Sequence, residues 1–208
     1  MSQSAAIEKQ VKPAFVRRRS NRRREIIDAA IDQFSARGYD GATLKDIAEA
    51  IDLTHAALYY YYKSKDVLLF EAVSLILNEL LDTLKGCDGA PRAQLKSMMV
   101  AQLTYQFEYH RAMPLIDSVL FGAHSRRRVL KDEQSRYLRQ CQKDMIGLYH
   151  SAVEAGIKSG EFTCKDVRTT VFSIIGILSH APYWASPVND KEMNAFVEKQ
   201  TDICFRLL

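Results

Sequence analysis

Apolar residues recur every three or four positions along almost the whole of this chain, and isolated glycines and prolines interrupt them at a few points. That spacing is the surface repeat of an α-helix; strands would alternate with a period of two, and few β-branched runs of that kind are present. With only 5 prolines in 208 residues, interruptions are rare, and the pattern predicts an all-α chain of about nine or ten helices. A hydrophobic fraction of 47% beside 26% charged residues is enough to build a core and excludes a disordered chain. The longest apolar runs are too short to cross a bilayer, and no apolar stretch follows the basic N-terminal residues as a secretory leader would require. No membrane partner is expected, and a cytoplasmic location is.

Charge divides the chain unevenly. Residues 1–65 carry 12 Lys and Arg against 8 Asp and Glu, whereas the remainder carries 17 of each. All of the net charge of +4 therefore sits in the first third, which suggests a polyanion-binding head on a neutral body. The densest run is Arg17, Arg18, Arg19, Arg22, Arg23 and Arg24. It is either a solvated basic face or an arm that lies along phosphates or enters a minor groove.

The breaks give the organisation. Residues 1–16 are polar and without periodicity, as a mobile arm would be. A first helix is expected from a cap at Ser20, burying Ile26, Ile27, Ala30, Ile31 and Phe34 and stopping at Gly38. Thr43 can cap a second helix, with Asp46 placed favourably in its first turn, and Thr54 can cap a third running to about Tyr60. Two short helices joined by a tight turn make a helix-turn-helix. Its geometry needs a small residue between the helices (Ala48), a residue tolerant of positive φ in the turn (Asp52), and apolar locks (Leu53, Leu58). The remaining helices should run from Lys65 to about Gly86, from Pro91, from Pro114, over 131–157, over 166–181 and over 190–208. The domain reading is an arm at 1–16, a DNA-binding domain at 17–65, and a body at 66–208.

With those elements in place, residues 22–73, RRREIIDAAIDQFSARGYDGATLKDIAEAIDLTHAALYYYYKSKDVLLFEAV, resemble the N-terminal domain of the TetR family of transcriptional regulators. The stretch ALYYYYKSKDVL is similar to the family's leucine-tyrosine-x-histidine-phenylalanine-x-x-lysine signature. It departs from the family at Asp52 and Ala56, where glycines are common, and at Tyr61 and Tyr62, where histidine and phenylalanine are usual. The resemblance implies a third helix in the major groove of double-stranded operator DNA, with His55, Ala56, Ala57 and Tyr60 nearest the base edges. Thr54 would cap that helix beside the backbone. Phosphate contacts would come from Thr43, Tyr59, Tyr61 and Lys65, with Lys45 a further one. The chemistry agrees, since hydroxyls and lysines hold phosphates while base edges select sequence. Tyr62 falls in the family's apolar core position.

In the body, large side chains exceed what a solid core needs: Met99, Leu103, Phe107, Leu120, Phe121, Tyr137, Met145 and Tyr149 could line a cavity or simply pack together. Arg126, Arg127 and Arg128 could hold a ligand's acidic group or face solvent. The sequence SRRRVLKDEQSRYLRQ, then EAGIKSGEF, then HAPYWASP resembles a TetR subgroup that binds acyl-CoA thioesters or related hydrophobic acids, which brings Trp184 into the candidate pocket. Apolar stripes on the last two helices (Val167, Val171, Phe172, Ile174, Ile175, Leu178; Met193, Phe196, Val197, Ile203, Leu207) are too broad for one-sided burial. Paired across a two-fold axis they would form a four-helix homodimer interface, the usual dimer of the family and one suited to a palindromic operator.

No catalytic constellation is present: there is no nucleophile elbow, phosphate-binding glycine loop or metal-ligand spacing, and Cys87, Cys141, Cys164 and Cys204 are scattered. No enzyme activity, cofactor or metal is expected. The expected function is a ligand-responsive regulator, most simply a repressor released from DNA by its effector. The alternative is an architectural DNA-binding protein without an effector, which ligand-dependent thermal stabilisation would separate from a sensor.

Overall fold

The computed structural model describes residues 22–122, 129–187 and 189–208. The arm at 1–16, Arg17, Arg18, Arg19, the cap expected at Ser20, and Arg126, Arg127 and Arg128 lie outside the described residues.

Helix α1 (Arg22–Gly41) forms because Ile26, Ile27, Ala30, Ile31 and Phe34 share one face, and all five are buried. Its ladder breaks at Gly38, where φ is 71° and ψ is 166°, a backbone region essentially closed to residues with a β-carbon. The expected stop at Gly38 is thus a break, after which one more turn reaches Gly41.

The two short helices begin on the threonines that the sequence marks. Before α2 (Leu44–Glu49), Thr43 Oγ1 accepts from Asp46 N–H at 3.1 Å while the Asp46 carboxylate accepts from Thr43 N–H at 2.9 Å. Donors at both ends of the first turn are satisfied reciprocally. Before α3 (His55–Tyr61), Thr54 Oγ1 accepts from Ala57 N–H at 3.1 Å. Between them Asp52 takes φ 54°, the left-handed conformation that the turn demands and that Asp tolerates better than most side chains. Leu53 N–H then donates to Ala48 C=O at 2.9 Å. That bond closes the turn.

Helix α4 (Lys65–Lys85) follows, then α5 (Pro91–Glu108) and α6 (Met113–Leu120), each with proline in its first turn, where a missing N–H costs nothing. A single 3₁₀ turn, His110–Ala112, joins α5 to α6. Helix α7 (Asp132–Ser159) closes at Gly160, whose φ is 80°. Asp166 caps α8 (Val167–Trp184) and Asn189 caps α9 (Asp190–Phe205), each carboxylate or amide oxygen accepting an N–H three residues on. Pro182 falls in the last turn of α8. Among the described residues there are nine α-helices and no strand, so the expected all-α architecture holds.

The chain forms two compact units. One takes the described residues of 22–78 and 111–141. In it α1 packs against α2 and α6, and α2 packs against α3. The other takes 79–110 and 142–208. In it α5 packs against α8 and α9, which also pack on each other. Helices α4 and α7 contribute residues to both units.

Candidate nucleic-acid interface

A seven-residue helix cannot hold its own shape in water, so α3 depends on burying one side. Leu58 is buried within it, and Tyr62, at its C-cap, is 2% exposed. Burial pushes the Tyr62 phenol above its ordinary pKa, with Glu71 adding to the rise. The aromatic residue in the family's core position thus serves as core here. With Leu58 and Tyr62 turned inward, His55, Ala56, Tyr59 and Tyr60 are turned out, and Tyr60 is 78% exposed.

Of the other expected contact residues, Thr43, Lys45 and Thr54 are exposed, while Ala57, Tyr61 and Lys65 are half-buried. Lys45 pairs with Glu49 at 3.7 Å, but both side chains are well exposed, so the pair is screened and hardly ties the lysine down. The aromatic side chains lie close together: the His55 and Tyr59 rings are 6.4 Å apart, and those of Tyr60 and Tyr61 meet edge-on at 5.5 Å. Such a face can offer hydroxyls and a cation to phosphates, and an imidazole and small side chains to base edges.

Two features escaped the sequence reading. Lys63 is exposed, and its ammonium lies 4.8 Å from the centre of the Tyr59 ring; the pair is spaced i, i+4, a separation that could have flagged it. Lys65, by contrast, turns inward to main-chain carbonyls of residues 39–42. No local pattern announces a contact over that distance. Within the arginine run, Arg22 pairs with Glu25 and donates to Ile51 C=O at 3.3 Å, while Arg24 holds Asp28 at 3.1 Å. Arg37 reaches Asp46 at 3.0 Å. These cations brace the head's own helices.

The candidate pocket residues divide between the units. In the first, Leu120 is half-buried, Phe121 and Tyr137 are exposed, and Leu120 lines a crevice with Val119, Leu130, Ser135, Leu138 and Arg139. That crevice holds about 10 Å³, room for one water molecule. In the second, Met99, Leu103 and Tyr149 are buried, Phe107 and Met145 half-buried, and Trp184 64% exposed. Phe196 links two of them, lying edge-on to Phe107 at 5.4 Å and to Trp184 at 5.3 Å. The interior also has a polar part: Gln102 and Gln106, both buried, donate through Nε2 to Ser179 Oγ at 3.4 and 3.3 Å, and Tyr105 donates to Glu79 at 2.9 Å. On α8 and α9, Phe172, Tyr183, Trp184 and Ile203 are exposed, with Leu207 just beyond. Among the described residues no three His, Cys, Asp or Glu side chains gather as metal ligands, and no helix is long and apolar enough to cross a membrane.

Comparison with known proteins bears on this geometry at both ends of the chain. Residues 26–72 match the family model of bacterial regulatory proteins, tetR family, and residues 88–208 match that of the tetracyclin repressor-like C-terminal domain. The transcriptional regulator RutR of Escherichia coli (strain K12) is 30% identical over 172 residues, covering 81% of this chain and 77% of that protein. Among solved structures, a regulatory protein in the tetR family from Rhodococcus RHA1 superposes with a TM-score of 0.78 at 21% identity, covering 90% of this chain and 97% of the other. The structure of AibR in complex with isovaleryl coenzyme A and operator DNA superposes with a TM-score of 0.70 at 20% identity, over 89% and 98% of the two chains.

Proposed function

The chain belongs to the TetR family of transcriptional regulators, and on that premise we propose that it is a repressor that binds a palindromic operator as a homodimer and leaves it when a small hydrophobic effector binds. The observation that carries the DNA-binding part is the two-sided α3, with Leu58 and Tyr62 buried behind an exposed row of His55, Ala56, Tyr59 and Tyr60. We assign His55, Ala56, Ala57 and Tyr60 to the base edges and Thr43, Lys45, Tyr59 and Tyr61 to the phosphates, with Thr54 setting the start of the helix. Residues 17–65 act as the head and 66–208 as the sensing and dimerising body.

Dimerisation through α8 and α9 is supported by the apolar surface those helices leave uncovered, Phe172 at 50% and Ile203 at 43% exposed. A second copy would cover it isologously. The effector class, a coenzyme A thioester or related hydrophobic acid, is supported by the likeness in fold to AibR, which was solved with isovaleryl coenzyme A. Met99, Leu103, Phe107, Met145, Tyr149 and Trp184, all in one compact unit, are its candidate neighbours.

Selection from a randomised duplex library tests the first part: a palindromic consensus bound by a dimer is expected, and recovery of no shared sequence would sink the reading. Effector action is tested by linkage. An acyl-CoA that releases DNA must bind the operator-bound protein more weakly by the same factor by which it weakens operator binding. Equal effector affinity with and without operator would reject the switch even if the ligand bound, because a ligand indifferent to the two states shifts nothing.

A further inference from the structure

Two lysines close the signature of the head, two residues apart, and the fold treats them oppositely. Lys65, in the first turn of α4, donates from Nζ to the carbonyl oxygens of Tyr39 at 2.7 Å, Ala42 at 3.0 Å and Asp40 at 3.4 Å, and its ammonium lies 4.4 Å from the centre of the Tyr39 ring. An ammonium has three N–H donors, and here each has a carbonyl. Those carbonyls follow the break at Gly38, where the regular ladder of α1 is interrupted, and Lys65 supplies a donor to each of them. Lys63 is exposed on the same side as Tyr59, with its ammonium over that ring.

We propose that Lys65 is a positioning residue that fixes the 39–42 segment, and through it Thr43, against the start of α4, while Lys63 is the lysine that meets the DNA phosphate. Reaching a phosphate would oblige Lys65 to abandon three carbonyls, two of them in partly buried hydrogen bonds; Lys63 gives up no main-chain partner. The chain from Lys65 to the surface is short. Ala42, which accepts from Lys65, is fully buried and is followed directly by Thr43, whose backbone and hydroxyl form the capping box that starts α2. Loosening Lys65 therefore releases the anchor of a residue assigned to the phosphates.

The inference about Lys63 rests on the DNA-binding reading above; that about Lys65 can be tested without DNA. Lys63→Met and Lys65→Met are compared with the unsubstituted protein for Tm, for amide hydrogen exchange, and for binding to a mixed-sequence duplex between low and physiological salt. One lost phosphate contact lowers the slope of log K against log salt by about 0.9. Lys63→Met removes that contact from both subunits of the proposed homodimer and is expected to lower the slope by about 1.8 and to leave Tm unchanged. Lys65→Met is expected to lower Tm, to speed exchange at the amides of Ala42 and Ile47, to weaken binding several-fold, and to leave the slope unchanged. Lys65→Arg keeps the charge without the compact three-donor geometry, so it should show the same pattern more mildly and serves if the methionine variant does not fold. A Lys65 variant with unaltered Tm and exchange overturns the positioning role, as does one whose slope falls by about two units, one for each subunit. Unchanged duplex affinity in folded Lys65→Met would show a merely structural lysine and also overturns it. If the unsubstituted protein fails to bind duplex, the DNA reading and the Lys63 assignment fail together, while Tm and exchange still decide whether Lys65 anchors the 39–42 segment.

Discussion

The ring of Phe162 lies across Gly156, with Cδ2 2.0 Å from the point that a β-carbon on that glycine would occupy. Phe162 is 3% exposed, and its N–H donates to Gly156 C=O at 3.1 Å, so ring and backbone are pinned together where α7 ends. Gly156→Ala must therefore push a buried ring aside. Overpacking of this kind costs about 1–3 kcal/mol, whereas the helix preference of alanine returns at most about 1 kcal/mol. The clash should win. Urea unfolding is expected to show a lower midpoint with an unchanged slope; a Gly156→Ala protein more stable than its parent would mean that the ring is free to move.

The Thr43–Asp46 capping box makes the head sensitive to acid. Hydrogen bonds from the Thr43 hydroxyl and then from its N–H hold the Asp46 carboxyl below its ordinary value of 3.8, and Arg37 adds to the effect. A carboxylate whose pKa is depressed on folding stabilises above its unfolded pKa, and that contribution is lost as pH falls through the lower folded value. The stability gap between the parent protein and Asp46→Asn should thus be present at neutral pH and close at pH values below the ordinary carboxylate range. Measuring both proteins by chemical denaturation at pH 7 and in strong acid checks this. A gap of the same size at both would disprove the linkage.

Asp52 holds its left-handed turn at a cost that glycine would not incur. Asp52→Gly should be neutral or stabilising by up to about 1 kcal/mol, because freedom gained in the unfolded chain offsets relief of strain. Asp52→Val, branched at Cβ, should cost about 1–2 kcal/mol or more. Similar thermal midpoints for the two variants would argue against a positive φ in solution.

Within the proposed DNA face the roles should separate. Tyr59→Phe removes a hydroxyl assigned to phosphate and should weaken every sequence alike, whereas His55→Ala should alter base preference at one position by about 1–3 kcal/mol. Binding measured against a panel of single-base operator variants distinguishes them. A uniform loss for His55→Ala would remove it from the base-reading set.

A charge placed on the uncovered apolar face should divide the proposed dimer. Phe172→Glu or Ile203→Glu is expected to sediment as a folded monomer and to lose operator affinity by about 10²-fold or more, since the second half-site would no longer be held by the first. A variant that remains dimeric would direct attention to another surface.

The features legible in the sequence were those determined within a few residues. Caps at Thr43 and Thr54, the break at Gly38, the left-handed turn at Asp52 and the proline starts of α5 and α6 all follow from side chains acting on their own backbone. Burial of Ile26, Phe34 and Leu58 followed from spacing. Lys65 shows where that reading ended: its acceptors lie 23 to 26 residues earlier, and a lysine beside a helix start looks the same in sequence whether it turns outward to solvent or inward to carbonyls. The buried pair Gln102 and Gln106 was missed similarly, because their partner Ser179 comes from α8 and nothing on α5 alone distinguishes a core glutamine from a surface one.

The carbonyls of Tyr39, Asp40 and Ala42 and the ammonium of Lys65 also bear on how this head could be transplanted. A chimeric regulator made by cutting at the visible joint, between the third helix and the long one that follows, would leave the three carbonyls in one parent and their donor in the other. Grafts that carry Lys65 along with residues 39–42 and α3 keep that set intact. Swaps made one turn too early would depend on whether the recipient supplies a side chain of the same reach, so the natural seam for exchanging this segment lies inside the long helix rather than at its start.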